Sequence, residues 1–201
     1  MIRIICASKK SKWGICLNKF DDDLKHYNEL FVKFNAIHNL SAYKDILCVK
    51  DDSLAPFDEF KGVFDKAKIA VDIGSGAGIP AVFLALRAKN CEFHLFEPAS
   101  KKASFLNFIK ASLSLENIFV HSVKIQDEKP FVADIVLSRA AFKIIDLFEI
   151  SKGFYDEKTT FLLYKGTSYK DEMDAIKGRY ENSQILNNKN RNYILLEGVK
   201  C

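Results

Sequence analysis

The chain has 201 residues, 48% of them hydrophobic and 28% charged. That balance excludes an intrinsically disordered protein, and the length suits one domain with an added element, or two small ones, with a core that needs neither disulfides nor metals. The net charge of +4 is too small to identify a nucleic-acid partner by itself.

Residues 1–20 carry Arg3, Lys9, Lys10, Lys12 and Lys19 and no acid. Such a patch can meet phosphates or serve as a solvated surface. Met1 to Cys16 lacks a continuous apolar core followed by small residues, which argues against a signal peptide. Leu24, Tyr27, Leu30, Phe31, Phe34 and Ile37 recur at steps of three and four and predict an amphipathic helix, with Asp21–Asp23 at its start. A second helical stretch is expected near Ile46 to Phe64, broken around Pro56.

From residue 69 the pattern changes. Ile69 to Ile73 is a short apolar run ending in glycines and reads as a buried strand. Pro80 opens a helix through Ala88. Phe93 to Phe96 is a second strand, Lys101 to Leu115 a helix, and Ile118 to His121 a third strand. Asp134 to Ser138 is a fourth strand, Phe142 to Ile150 a helix, Thr160 to Tyr164 a fifth strand and Asp171 to Arg179 a helix. Gln184 to Leu186 and Tyr193 to Leu196 flank a turn-prone Asn187 to Asn190 and predict a closing hairpin. Strands alternating with helices predict a doubly wound α/β fold, a parallel sheet covered on both faces, with the hairpin adding an antiparallel strand.

Asp72-Ile73-Gly74-Ser75-Gly76-Ala77-Gly78-Ile79-Pro80 joins a predicted strand to a predicted helix. Glycines there let the backbone turn sharply and let a ligand approach it. The dinucleotide fingerprint needs a third Gly or Ala where Ile79 stands, and the Gly-Lys-Ser/Thr of a phosphate-binding loop is absent, so nothing is arranged to hold a pyrophosphate. The second strand runs into Glu97, 23 residues beyond Gly74, where a carboxylate faces the ligand crevice and can accept a ribose diol. Glycine loop and acid together point to an adenosine ligand without a pyrophosphate, and S-adenosylmethionine fits that description. Taken singly, the glycines are a tight turn and Glu97 a solvated acid.

Several runs resemble one family. Asp72 to Pro80, Glu97-Pro-Ala-Ser-Lys-Lys-Ala-Ser-Phe-Leu, Leu115-Glu-Asn-Ile, Leu137-Ser-Arg-Ala and Asn35-Ala-Ile-His-Asn-Leu-Ser are similar to the RsmG (GidB) family, bacterial methyltransferases that modify N7 of a guanosine in 16S ribosomal RNA. The similarity runs from about Tyr27 to Gly166. It implies a class I S-adenosylmethionine-dependent methyltransferase, Rossmann-like with a seven-stranded sheet. Residues 1–66 would be a basic, helical N-terminal extension and residues 67–201 the methyltransferase domain. Carried over by motif, Gly74, Ile79, Ile125, Gln126 and Arg139 would line the cofactor site beside Gly76 and Glu97 of the loop and strand end, with Arg139 also the catalytic candidate. Two departures stand out: Gln126 replaces an acid usual in the family, and Val49-Lys50-Asp51-Asp52-Ser53 lacks the His of the family's His-x-x-Asp-Ser segment.

N7 of guanine carries an exposed lone pair and loses no proton when it attacks, so alignment rather than a general base supplies the rate. Leu137-Ser138-Arg139-Ala140 holds neither the Asn/Asp-Pro-Pro run of amino-group methyltransferases nor a nucleophilic Cys. Arg139 can hold the cofactor carboxylate, orient RNA or guanine O6, or form a structural ion pair. The five cysteines are scattered, with no Cys-x-x-Cys pair and no His at ligand spacing, which argues against a disulfide framework or metal site and for a reducing cytoplasm. The expected partner is 16S ribosomal RNA or the small ribosomal subunit, with no membrane, and a monomer is favoured. The alternatives are a methyltransferase of the same fold acting on another RNA, a protein or a small molecule, and a non-catalytic S-adenosylmethionine- or RNA-binding module.

Overall fold

The computed structural model describes residues 17–60, 62–139, 141–188 and 191–200. Arg3, Lys9, Lys10 and Lys12 of the basic patch lie outside them. The chain runs α1 (Leu17–His38), α2 (Lys50–Glu59), α3 (Val63–Lys66), β1 (Ile69–Ile73), α4 (Ala81–Arg87), β2 (Glu92–Phe96), α5 (Ser100–Ser112) and β3 (Ile118–His121). It continues with β4 (Ile135–Arg139), α6 (Ile144–Ile150), β5 (Thr160–Lys165), α7 (Tyr169–Ala175), β6 (Asn182–Asn188) and β7 (Arg191–Glu197).

The seven strands form one sheet in the order β3-β2-β1-β4-β5-β7-β6. β3, β2, β1, β4 and β5 are parallel, and β7 pairs antiparallel with both β5 and β6. Along β1 the side chains alternate between faces. Ala70 joins the core that includes residues of α1, α2, α4 and α5, while Val71 and Ile73 join the core that includes residues of α6 and α7. The chain leaves β1 outward to β2 and β3, then returns to β4 on the other side. The β1–β4 boundary is therefore the topological switch point, where a crevice opens beyond the strand ends.

Four sequence expectations change. α1 begins at Leu17, so Asp21–Asp23 lie within it rather than at its start. Phe20 is buried and extends the apolar stripe upstream, and Asp21 instead pairs with Lys50 at 2.8 Å. Ile37 is 74% exposed, because the stripe leaves the core after Phe34. Pro56 does not break its helix: α2 runs through it to Glu59, with Leu54, Pro56 and Phe57 buried. Core packing there offsets the roughly 3 kcal/mol that an interior proline costs. The closing strands also run further than predicted, through Asn188 and from Arg191.

Candidate active site

The loop after β1 turns three times through left-handed backbone, with φ of +78° at Gly74, +59° at Gly76 and +89° at Gly78. The N–H groups of Gly74 and Ser75 both donate to Phe96 O, at 3.0 and 3.2 Å, tying the loop to β2. The glycines serve different ends. A Cβ on Gly78 would meet Val82 Cγ2 at 2.5 Å and Leu106 Cδ2 at 2.9 Å, so this glycine lets helices pack. A Cβ on Gly76 would meet nothing nearer than Gly74 O at 4.0 Å and so borders open space. Tyr27 of α1, fully buried, donates its hydroxyl to Ala77 O. Burial, with the charge of Asp72 adding, pushes the Tyr27 pKa up, so the phenol stays a donor.

Glu97 follows β2 directly. Its Oε2 accepts from Gly76 N and its Oε1 from Ala99 N, each at 2.8 Å, so the carboxylate staples the glycine loop to the next turn. Two of roughly four lone-pair positions are used, which leaves capacity for a ligand's hydroxyls.

Asp72 was part of the sequence motif without a role. Its side chain shares the face of Ala70, is 1% exposed, and has no hydrogen-bond partner on either oxygen among the described residues. Burial above all, opposed by the Ser75 side chain, reinforced by the charge of Glu97 and opposed by that of Arg139, pushes its pKa up to about 7. An acid inside an otherwise apolar strand was the signal available for it.

Arg139 ends β4. Its Nη2 lies 2.9 Å from Asp52 Oδ2 and donates to Tyr43 Oη at 2.8 Å, and its guanidinium sits 5.5 Å from the Tyr43 ring centroid. The side chain is only 9% exposed, and Nη1 has no partner among the described residues. Asp52 is itself a hub: Oδ1 accepts from Arg191 Nε at 3.3 Å and Tyr193 Oη at 2.9 Å. Tyr164 Oη donates to Ser53 O at 2.7 Å and fixes α2 beside the sheet. Asn35 places Tyr43, donating to its carbonyl at 2.7 Å and accepting from Ser41 N at 2.9 Å. None of Tyr43, Asp52 or Arg191 was marked as a site residue in the sequence. Each acquires its role only through pairing across the fold.

Three cavities follow one another along the strand ends. The first, about 240 Å³, has apolar walls that include Phe96, Ile125 and Phe142, with Gln126 at its edge. Lys165 Nζ donates to Phe142 O and pairs with Glu172 at 2.7 Å, and Glu172 accepts from Ile144 N at 2.9 Å, which pins the Phe142 wall. The second, about 330 Å³, shares Gly74 with the first and adds Gly76, Ile79, Lys102 and Arg139. The third, about 370 Å³, shares Tyr43, Arg139 and Arg191 with the second. Gly74, Gly76, Ile79, Ile125, Gln126 and Arg139 thus border the first two cavities, and Glu97 holds their shared loop. His38 is exposed at the end of α1, and Phe31 is core.

The arrangement suits a ligand with a flat apolar end, a diol near Glu97, and a zwitterionic end. A buried carboxylate (Asp72) and a buried guanidinium (Arg139), each with unmet hydrogen bonds, complement an ammonium and a carboxylate. Such a site at the switch point of this sheet defines an S-adenosylmethionine-dependent methyltransferase. One example of the fold is a structure from Methanococcus maripaludis described as a putative S-adenosyl-L-methionine-dependent methyltransferase. It aligns with a TM-score of 0.61 over 89% of this chain and 93% of that one, at 11% identity, a likeness of fold alone. The particular family follows from sequence: residues 21–194 match the family model described as rRNA small subunit methyltransferase G. A Campylobacter hominis protein named ribosomal RNA small subunit methyltransferase G is 44% identical over 89% of this chain and 93% of its own length. One of the same name from Campylobacter fetus is 45% identical over 92% of this chain and 98% of its own. The chain belongs to this family.

Proposed function

We propose that the protein methylates N7 of a guanosine in 16S ribosomal RNA, with S-adenosylmethionine as methyl donor. The observation that carries the reading is the pair of buried, opposite charges with unmet hydrogen bonds, Asp72 and Arg139, flanking the glycine loop. In this reading Asp72 receives the ammonium of the cofactor's methionine end and Arg139 Nη1 its carboxylate. Glu97 accepts the ribose hydroxyls, Gly74, Gly76 and Ile79 line the path between, and Ile125 and Gln126 border the adenine with Phe96 and Phe142. The names of the relatives supply the substrate class.

When bound, the cofactor supplies an electrophilic methyl carbon on a sulfonium, whose carbon–sulfur electron pair stays with the sulfur. The protein's part is alignment and exclusion of water, since the attacking nitrogen loses no proton. Arg139, fixed by Asp52 and Tyr43, holds one reactant rigidly beside the third cavity, from which the acceptor enters. In this reading the protein acts as a monomer in the cytoplasm, on 16S ribosomal RNA or the small ribosomal subunit. Among the described residues no helix is long and apolar enough to cross a membrane. We take residues 67–201 as the transfer unit and 1–66 as the extension that buttresses it through Tyr27 and Asp52.

The test uses the charge that N7 methylation places on the base, which labilises its glycosidic bond. Borohydride followed by aniline should cut small-subunit RNA at one guanosine in wild-type cells. The cut should vanish on deletion of the gene and return with the intact gene. Arg139→Ala should fail to restore it. A cut that persists in the deletion strain removes guanosine-N7 methylation as the function.

A further inference from the structure

We propose that the third cavity takes the acceptor nucleobase, and that Arg191 selects guanine over adenine by donating to O6. This rests on the reading of the protein as a guanosine-N7 methyltransferase. Position comes first. The cavity opens off the second through Tyr43, Arg139 and Arg191, so it lies beyond the glycine loop on the side away from the apolar first cavity. At about 370 Å³ it falls within the usual range for a small-ligand site.

Chemistry comes second. Tyr43 offers an aromatic ring, and the charged groups at the wall are Asp52, Arg139 and Arg191. The Asp52 carboxylate is already engaged by both arginines and by Tyr193. Of the charged groups, that leaves arginine facing a ligand, with five N–H donors and no acceptor, beside Asn188, whose amide can donate or accept. Guanine shows two acceptors, N7 and O6, on the edge that must face the methyl group, whereas adenine shows N7 beside an N6 amino donor. An arginine next to N7 therefore matches O6 and opposes the adenine amino group. Asp52 is the positioning residue: it holds Arg191 through Nε at 3.3 Å, so the arginine meets the base from a fixed place. Arg139 is committed to Asp52, Tyr43 and the methionine end, which leaves the six-position to Arg191.

The test measures binding to the protein saturated with S-adenosylhomocysteine, by saturation-transfer NMR with the 5′-monophosphates of guanosine, inosine and adenosine. All three carry the same phosphate, so their ratios isolate the base. Inosine keeps O6 and lacks the 2-amino group, so the unaltered protein should bind inosine and guanosine monophosphates alike and adenosine monophosphate more weakly. Arg191→Ala should reduce the guanosine-to-adenosine preference about tenfold, measured with the variant saturated with S-adenosylhomocysteine. Arg191→Gln, which can turn either a donor or an acceptor to the base, should accept both purines. Inosine monophosphate binding as weakly as adenosine monophosphate overturns the proposal, and this arm needs no variant to fold. An unchanged preference in either folded variant also overturns it. Failure of the unaltered protein to bind S-adenosylhomocysteine would instead refute the methyltransferase reading.

Discussion

Asp72→Asn replaces a buried carboxylate by a neutral group of the same shape, and its effects should depend on pH in a defined direction. The side chain's pKa is raised from 3.8 to about 7, chiefly by burial. Below about pH 4 the carboxyl is protonated whether the chain is folded or not. Between about pH 4 and 7 the unfolded chain has lost its proton while the folded chain keeps it, so stability falls as pH rises through that window and is flat above it. At 1.36 kcal/mol per unit, the penalty at pH 8 reaches about 4 kcal/mol. About 2.7 kcal/mol of it develops between pH 5 and pH 7. Asp72→Asn should remove it, so urea denaturation should show the variant gaining on the wild type as pH rises from 5 to 8.

Binding should carry the same signature. If the ionised carboxylate pairs with the ligand's ammonium, binding below pH 7 must release the proton. Wild-type affinity for S-adenosylhomocysteine should then weaken as pH falls, by as much as 100-fold, about 2.7 kcal/mol, at pH 5. Calorimetry in two buffers of different ionisation heat should register the released proton, and Asp72→Asn should bind weakly with no such slope. A stability difference that is equal at pH 5 and pH 8, or an affinity slope that survives the substitution, would refute the reasoning.

Gly78→Ala should destabilise the fold by about 1–3 kcal/mol in urea denaturation, because its Cβ lands 2.5 Å from Val82 Cγ2 at a φ of +89°. Glu97→Gln removes one acceptor from the staple to Gly76 N or Ala99 N and should weaken S-adenosylhomocysteine binding by about 1–3 kcal/mol in calorimetry. Replacing Asp52 by Asn releases both arginines, so it should lower nucleotide preference in the NMR assay and S-adenosylhomocysteine affinity in calorimetry together.

What the sequence made legible was local. The apolar runs of β1 to β5 have the length of buried parallel strands, and the glycine loop after β1 is marked by its spacing. Glu97 is marked by its place after the second strand. Pro56 misled because a proline's local cost was weighed without the buried neighbours of α2. Asp21–Asp23 misled because acids favour a helix start, whereas Phe20 carries the stripe back past them. The acceptor side was illegible for a different reason. Arg139 was marked in the sequence, but Asp52, Arg191 and Tyr193 come from α2 and β7, and no periodicity links an acid in one to a cation in the other. Asp72 was visible as an acid in an apolar strand, but its missing partners are a property of the packed core.

The hub at Asp52 also imposes an order on when the enzyme becomes complete. Its carboxylate is made early in synthesis, whereas two of its partners, Arg191 and Tyr193, lie on the last strand of the sheet. Those two residues can reach the hub only when β7 has paired between β5 and β6. A chain clipped before β7 would lose them together with the buried Ile194, Leu195 and Leu196. The acceptor wall and the core beneath it are thus completed by the same final stretch of polypeptide.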